Sequence, residues 1–164
     1  MPSGVNAAHW FGLAGLVVVL DRITKYAVLA SFAPGESRAV TEFFNMVLVF
    51  NKGAAFSFLA AAEGWQTLFF CAIATVASVV ISFMILRNRD KRLFSGGLGL
   101  ILGGALGNLY DRIVYGQVVD FLDFHAAGWH WPAFNVADSA ITVGAAILIA
   151  ESFMHREETR EKQA

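Results

Sequence analysis

The chain has 164 residues, of which 57% are hydrophobic and 15% are charged, and its formal net charge is -1. A mean hydropathy of +0.58 is too high for a water-soluble domain of this length, so residues 1–164 are predicted to form a single integral membrane domain. The near-neutral charge, without Lys and Arg clustered among aromatic residues, argues against nucleic acid as a partner. A lone cysteine, Cys71, excludes an internal disulfide and a cysteine-based metal site.

Four apolar segments are long enough to cross a membrane, whose apolar core about 30 Å thick requires about 20 helical residues. They cover residues 9–30, 65–86, 93–114 and 134–154. The first segment resembles the hydrophobic part of a secretory signal peptide. However, no Lys or Arg precedes Arg22, and charged residues follow the segment, so a retained span is expected.

The basic residues of the connections predict the orientation of these spans. The link "RNRDKR" between spans two and three carries four Lys and Arg residues, and the C-terminal tail carries three more. The connection over residues 31–64 has only two, and the connection over residues 115–133 has none. Because basic connections stay in the cytoplasm, both termini and the link are predicted to be cytoplasmic and the two longer connections to face outward.

The first outward connection is predicted to carry structure of its own. Residues 39–50, "AVTEFFNMVLVF", have the β-branched and aromatic content of short strands. Residues 56–65, "FSFLAAAEGW", predict a short interfacial helix with Trp65 at the level of the lipid headgroups. The predicted fold is therefore an all-α membrane protein of four transmembrane helices with a small extracytoplasmic β-sheet and a short interfacial helix.

A ladder of glycines in the third span predicts close helix packing. Gly99, Gly103 and Gly107 recur every four residues and so share one helix face. Small residues on a shared face allow a neighbouring helix to approach closely, within one chain or between chains.

The polar residues of the spans gather at one membrane boundary once the orientation is set. With a helical rise of about 1.5 Å per residue, each of them lies near the outward end of its span or just beyond it. They are Asp21, Lys25, Asn108, Asp111, Arg112, Asp120, Asn135 and Asp138.

Structural roles explain several of these residues. Asp21 and Lys25 are four residues apart and can form an ion pair on one helix face. Asn108 and Arg112 are consistent with ordinary interfacial polarity, although Arg112 could also hold a carboxylate. Asn135 is the expected N-cap of the fourth span, since a capping Asn accepts a hydrogen bond from the amide three residues on.

A purely structural role explains Asp138 less well than it explains the other polar residues. An ionised side chain at mid-membrane costs about 2.5 to 3.5 kcal/mol, which indicates a function or a close partner. Asp120 is a weaker candidate because Asp123 is a neighbouring carboxylate. When two carboxyl groups bind the same water molecule, one of them keeps a proton and the other is ionised. The ionised group can accept a proton from the water, while the protonated group stabilises the carbonyl oxygen under attack. This is aspartic-protease chemistry, which requires no metal and no cofactor.

Other chemistries fit the sequence less well. Ser57 lacks the G-x-S-x-G pattern of an activated nucleophile. A metal site built from Asp120, Asp123, His125 and His130 lacks the H-E-x-x-H spacing. A small proton- or ion-coupled carrier is the main alternative of a different class, because intramembrane charges also line proton paths. A non-catalytic membrane assembly subunit is a further alternative.

Five blocks of residues, in this order, resemble the bacterial lipoprotein signal peptidases, the type II signal peptidase family, over nearly the whole chain. The blocks are "DRITK" at 21–25, "NKGAAFS" at 51–57, "GGALGNLYDR" at 103–112, "VVDF" at 118–121 and "FNVADSAI" at 134–141. Each block alone is weakly specific, whereas five in order are highly specific. The first eight residues, the connection "HAAGWHWP" and the charged tail depart from the family pattern.

The resemblance implies a four-helix aspartic endopeptidase of the bacterial inner membrane, multi-pass, with its active site on the periplasmic side. The family cuts the signal peptide from diacylglyceryl-modified prolipoproteins, before the lipidated cysteine, and is the target of the cyclic peptide antibiotic globomycin. The implied partners are therefore such prolipoproteins, membrane lipid and globomycin-type inhibitors. By this resemblance Asp120 and Asp138 are the catalytic pair. The implied supports of the substrate or of the pair are Asn51, Gly53, Asn108, Arg112, Asn135, Asp21 and Lys25.

Overall fold

The computed structural model describes residues 6–53 and 65–161. Within these residues, the chain forms four helices and four strands. In order they are α1 (Ala7–Ser31), β1 (Ser37–Thr41), β2 (Phe44–Asn51), α2 (Trp65–Asn88), α3 (Arg92–Tyr115), β3 (Val118–Ala126), β4 (Trp129–His130) and α4 (Val136–Glu161). The predicted interfacial helix at 56–65 lies outside the described residues, except for Trp65, which begins α2.

Three of the described helices are long and apolar enough to cross a membrane. They are α2 and α3 over their full lengths and α4 as far as Met154. Their bounds differ from the predicted spans by one or two residues at most of their ends. The charges of the "DRITK" motif interrupt the apolar run of α1, and the predicted crossing by this helix stays a prediction.

Helix α3 lies between α1 and α4 and contacts both through glycines. A Cβ atom added at Gly103 would lie 2.6 Å from the carbonyl oxygen of Ala14 in α1. On the other side of α3, a Cβ atom at Gly97 would lie 2.9 Å from the carbonyl oxygen of Gly144 in α4. Gly103 of the predicted glycine ladder therefore packs against α1 of the same chain, while Gly97, outside the ladder, packs against α4.

The strands form one antiparallel sheet in the order β1-β2-β3-β4. The first two strands come from the first outward connection, as predicted, and the other two come from the second connection, for which no strand was predicted. Pairing of β2 with β3 sets Val49 opposite Asp120 and Asn51 opposite Val118. The "NKG" and "VVDF" motifs thus meet at one end of the sheet.

The sheet packs on the end of α1 through a buried apolar cluster. Val28 of α1 contributes to this cluster together with Leu48 of β2 and Val119 and Phe121 of β3. Between α3 and β3, Gly116 adopts a left-handed conformation with φ of 72°, and its N–H donates to the carbonyl of Arg112 at 3.1 Å. A residue without a Cβ adopts this conformation readily, so α3 ends here and the chain turns directly into β3.

The other helix ends lie together at the opposite end of the bundle. Trp10, near the start of α1, donates from Nε1 to the carbonyl of Arg89 in the link between α2 and α3 at 2.9 Å. Glu151 of α4 lines the same cleft as Lys91 and Arg92. The basic link therefore lies at one end of the bundle and the sheet at the other.

Gly103→Ala is expected to lower the free energy of unfolding by about 1 to 3 kcal/mol, because the added methyl group forces α1 and α3 apart. Thermal unfolding in detergent, followed by circular dichroism, measures the effect. Gly12→Ala in α1 is the matched control, since no atom lies within 4 Å of a Cβ at that position. Equal melting temperatures for the two variants would contradict close packing at Gly103.

Candidate active site

A buried cluster of four charged side chains lies where α1 meets α3. Lys25 Nζ lies 3.0 Å from Asp21 Oδ2 and 2.7 Å from Asp111 Oδ2. Arg22 pairs with the same two carboxylates, at 2.9 Å from Asp21 and 2.6 Å from Asp111. The predicted Asp21–Lys25 pair is confirmed. Arg22 and Asp111 were missed as site residues, although they stand inside the motifs "DRITK" and "GGALGNLYDR".

The two acids of this ion cluster also bind backbone amides of neighbouring elements. Asp21 Oδ1 accepts from the N–H of Ala137 in the first turn of α4 at 3.1 Å. Asp111 Oδ2 accepts from the N–H of Val119 in β3 at 3.1 Å. Ala137 directly precedes Asp138 and Val119 directly precedes Asp120, so the ion cluster fixes the backbone beside both candidate aspartates.

Asn108 connects the ion cluster to Asp138. Lys25 Nζ donates to Asn108 Oδ1 at 3.0 Å, and Asn108 Nδ2 donates to Asp138 Oδ1 at 2.7 Å. Because the lysine holds the amide oxygen, the amide nitrogen is turned toward the carboxylate.

Asn135 caps α4 and joins the two candidate aspartates. Its Oδ1 accepts from the N–H of Asp138 at 2.9 Å, and Asp138 Oδ2 accepts in return from the N–H of Asn135 at 3.3 Å. This reciprocal cap confirms the predicted N-cap. The amide nitrogen of Asn135 donates to Asp120 Oδ1 at 2.7 Å. One fully buried residue therefore contacts both carboxylates.

The "NKG" motif positions the second oxygen of Asp120. Asn51 Nδ2 donates to Asp120 Oδ2 at 2.9 Å, while Asn51 Oδ1 accepts from the N–H of Gly53 at 2.8 Å. Gly53 has φ of 104°, and a Cβ atom there would overlap the ring of Phe70, so glycine is required at this turn. The rest of this motif, residues 54–57, lies outside the described residues.

The two carboxylates occupy different environments. Asp120 is 1% exposed, and its burial together with the charge of Asp138 raises the pKa of Asp120 to about 7. Asp138 is half-buried and borders a groove of about 460 Å³ between α4 and the segment that carries Trp131 and Phe134. One carboxyl group is therefore enclosed and inclined to hold a proton, while the other can be reached from the groove.

Arg112 lies at the edge of this site. Its guanidinium group is 5.1 Å from the ring centroid of Phe70, and its Nη1 donates to the carbonyl of Asn108 at 3.4 Å. Within the described part of the chain, no carboxylate lies within ion-pair distance of Arg112.

Asp123, the neighbouring carboxylate, belongs to a different set of contacts. Asn45 Nδ2 donates to it at 2.8 Å, and His130 Nδ1 lies 2.9 Å from its Oδ1. Although burial raises the pKa of Asp123, these hydrogen bonds outweigh burial and bring the pKa below its ordinary value. Among residues 6–53 and 65–154, no three side chains of the metal-binding types come together as a ligand set.

The comparisons with known proteins agree on one family. A family model described as signal peptidase (SPase) II matches residues 13–154. A protein named lipoprotein signal peptidase from Paraburkholderia phymatum is 53% identical over 148 residues, which are 90% of this chain and 89% of that protein. Proteins of the same name from Burkholderia mallei and Burkholderia pseudomallei are 56% identical over 147 residues, with the same coverage.

Two solved structures, both described as a bacterial membrane enzyme determined by the in meso method, share this fold with a TM-score of 0.81. The first, at 2.3 Å resolution, is 29% identical and is aligned over 92% of this chain and 91% of its own. The second, at 1.9 Å resolution, is 31% identical, with coverage of 92% and 96%.

Lys25→Met is expected to destabilise the protein by about 3 to 5 kcal/mol. The substitution leaves two buried carboxylates, Asp21 and Asp111, with Arg22 as their remaining cation. Chemical unfolding in detergent measures the change. Arg38→Met is the matched control, since Arg38 pairs with Glu36 at the surface and its loss should alter stability little. Equal stability of the two variants would contradict a structural role for the ion cluster.

Proposed function

We infer that this chain, which belongs to the signal peptidase II family, is a bacterial membrane endopeptidase that cleaves the signal peptides of lipid-modified prolipoproteins. The observation that carries the proposal is the contact of Asn135 with both Asp120 and Asp138. The side chain of Asn135 donates to the Asp120 carboxyl group and the backbone N–H of Asn135 donates to the Asp138 carboxyl group, so a water molecule bound between the two groups would lie within reach of each.

The proposed reaction divides the work between the two aspartates. Asp138, ionised and open to the groove, takes a proton from the water as the water oxygen attacks the scissile carbonyl carbon. Asp120, protonated near neutral pH, donates a hydrogen bond and then its proton to the carbonyl oxygen. When the tetrahedral intermediate collapses, Asp120 recovers its proton and Asp138 passes the water proton to the leaving amine. The products are a carboxylic acid and a free amine, and no covalent enzyme intermediate forms.

The surrounding polar residues are proposed to position the pair and the substrate. Asn51, Asn108 and Asn135 direct amide N–H groups at the two carboxylates, which orients them and limits their rotation. Arg112 is proposed to donate to a backbone carbonyl of the substrate, because its guanidinium group lies beside the site on the ring of Phe70. Gly53 is proposed to hold the turn that presents Asn51.

The proposed topology has four spans, including α1, in the bacterial inner membrane. The basic link between α2 and α3 lies at the same end of the bundle as the start of α1 and Glu151 of α4, which supports a cytoplasmic placement of that end and of both termini. The sheet and the carboxylates then lie at the periplasmic boundary. A carrier of protons or ions would instead distribute its carboxylates across the membrane.

This placement suits a substrate that is itself held in the membrane. A prolipoprotein anchored by its signal helix and by the diacylglyceryl group on its cysteine presents the bond before that cysteine at the membrane surface. Thr142 and the exposed Val143 of α4 line the groove beside Asp138, which supports lateral entry of such a substrate from the lipid. Globomycin-type cyclic peptides are proposed to occupy the same site.

Asp120→Asn and Asp138→Asn are each expected to lower kcat for cleavage of a diacylglyceryl-modified precursor by about a thousandfold or more, because each removes one half of the proton exchange. Cleavage in detergent, followed by gel shift or mass spectrometry, measures the loss. Asp123→Asn is the matched control on the same strand and should retain activity, since Asp123 contacts Asn45 and His130 instead. Near-normal turnover by either of the first two variants would refute the assignment.

The rate is expected to fall as the pH rises above about 7, because Asp120 must carry a proton and its pKa is raised to about 7. The direction follows from the shift: below pH 7 the carboxyl group is neutral, and above it the proton is lost. A profile of kcat/KM against pH, recorded with wild type and with Asp123→Asn, tests this expectation. Both should show the same decline, and a constant rate up to pH 9 would contradict it.

A further inference from the structure

A cleft lined by both positive and negative side chains lies at the end of the bundle opposite the candidate aspartates. Its volume is about 370 Å³, which is within the range of about 300 to 1,000 Å³ that is typical of small-molecule sites. We call it the charged cleft. It is lined by Lys91, which precedes α3, by Arg92, Leu93 and Phe94 of the first turn of α3, and by Glu151 of α4.

The charged cleft brings both signs of charge together without pairing them. Within the described part of the chain, neither Lys91 nor Arg92 forms an ion pair with Glu151 or with another carboxylate. Glu151 lies inside the apolar part of α4, which extends to Met154. Charged side chains within a membrane span almost always have a partner, because an isolated charge there is costly. The charges of the cleft therefore suit a ligand that provides a cation for Glu151 and an anion for the two basic residues.

Close helix packing fixes the distance between the two walls of the cleft. A Cβ atom added at Gly97 would lie 3.0 Å from Leu148 Cδ2, so α3 and α4 are in direct contact next to the cleft. Glu151 follows Leu148 by three residues and therefore lies on the face of α4 that is turned toward α3. The carboxylate and the basic residues are thus held across a gap that the packing of the two helices defines.

Hydrogen bonds hold the basic wall of the cleft in place. The carbonyl of Asn88 accepts from the N–H of Lys91 at 2.9 Å and from Ser95 Oγ at 2.8 Å. The ammonium group of Lys91 lies over the ring of Phe94, 5.8 Å from its centroid, which places this charge at the cleft. The first turn of α3 contains no acidic residue, so the positive end of the helix adds to the charge of Lys91 and Arg92. This wall is therefore suited to a phosphate group.

The surroundings of the charged cleft place it at the level of the lipid headgroups. Helices α3 and α4 are both long and apolar enough to cross a membrane, and the cleft lies where α3 begins and where the apolar part of α4 ends. Leu93, which lines the cleft, is 52% exposed, and Phe153, two residues beyond Glu151, is 63% exposed. Exposed apolar side chains beside a charged cleft at this depth suit the acyl chains and the headgroup of one phospholipid.

We propose that the charged cleft binds the headgroup of a membrane phospholipid that carries both a phosphate and a primary amine, as phosphatidylethanolamine does. The phosphate accepts from Lys91 and Arg92, and the ammonium group donates to Glu151. A headgroup that has a phosphate but no amine leaves Glu151 unpaired beside a second negative charge, so the site discriminates against it. The inference goes beyond the proposed function, because it concerns the far end of the bundle and requires no cleavage.

Native mass spectrometry of the full-length protein tests the proposal. Protein released from nanodiscs made with equal amounts of phosphatidylethanolamine and phosphatidylglycerol should retain the first lipid roughly tenfold more often, since one hydrogen bond to a charged group separates the two. In Glu151→Gln this preference should disappear, because the neutral amide no longer attracts the ammonium group. A wild-type protein without the preference, or a Glu151→Gln variant that keeps it, would overturn the proposal.

Two double variants that remove equal charge from the basic link test whether binding is localised in the cleft. Lys91→Ser with Arg92→Ser should lower retention of both lipids by roughly tenfold or more, because it removes the cations of the cleft. Arg87→Ser with Arg89→Ser is the matched control from the same link, and Arg87 stacks on the ring of Phe83 at 4.2 Å instead of lining the cleft. An equal loss in the two double variants would show attraction by overall charge alone, and the proposal would fail.

A soluble probe distinguishes a lipid from a free headgroup. Glycerophosphoethanolamine has the same phosphate and amine but no acyl chains. If it displaces phosphatidylethanolamine at equal concentration, the cleft takes the free headgroup and the lipid assignment fails. Displacement only at a far higher concentration supports a lipid site, because the acyl chains then contribute to binding.

The proposed peptidase reaction and the lipid site can fail separately. Variants of Asp120 and Asp138 test the reaction at the other end of the bundle, whereas lipid retention is measured without any substrate. Melting temperatures of Glu151→Gln and of the double variants that match the wild type show that a loss of lipid does not arise from unfolding.

Discussion

Two buried carboxylates of one ion cluster each accept the backbone N–H that directly precedes a candidate catalytic aspartate. Asp21 holds Ala137, before Asp138, and Asp111 holds Val119, before Asp120. Strand β3 ends at Ala126 and helix α4 begins at Val136, and these two contacts fix both elements on α1 and α3. The separation of the candidate aspartates therefore depends on the geometry of the ion cluster.

The ion cluster can be buried because its positive and negative charges balance. Two cations, Arg22 and Lys25, face two anions within 3.0 Å, so no charge is left without an opposite partner. Loss of one member leaves a buried charge unpaired, which costs more than the intact set contributes. Lys25 also donates to Asn108, so the same balance orients the amide that contacts Asp138. Stability and chemistry at this site therefore share the same side chains.

The parts of the site that rest on local sequence were predictable. The cap of α4 follows from Asn135 and Asp138 standing three residues apart, and the Asp21–Lys25 pair follows from their spacing on one helix. The four-residue spacing of the glycines in α3 likewise predicts the close packing of this helix. Resemblance to a family then added the choice of Asp120 over Asp123, which spacing alone left open.

The parts that rest on contacts between distant segments were not predictable. Asp120 reaches Asn51 only because β2 pairs with β3, and two helices separate these strands in sequence. No strand was predicted around Asp120, because carboxylates at two positions of β3 weaken the apolar pattern of a strand. Asp111 was counted among the boundary residues, but its bond to Val119 depends on the turn at Gly116.

The central claim is that Asp120 and Asp138 share one proton near neutral pH, and infrared spectroscopy of the carboxyl groups tests it most directly. In difference spectra of protein with isotope-labelled aspartate, a protonated carboxyl band should be present at pH 6 and should titrate with a midpoint near 7. That band should be absent from Asp120→Asn and retained in Asp123→Asn. A wild-type protein without a protonated aspartate at pH 6, or a band that persists in Asp120→Asn, would contradict the shared-proton pair.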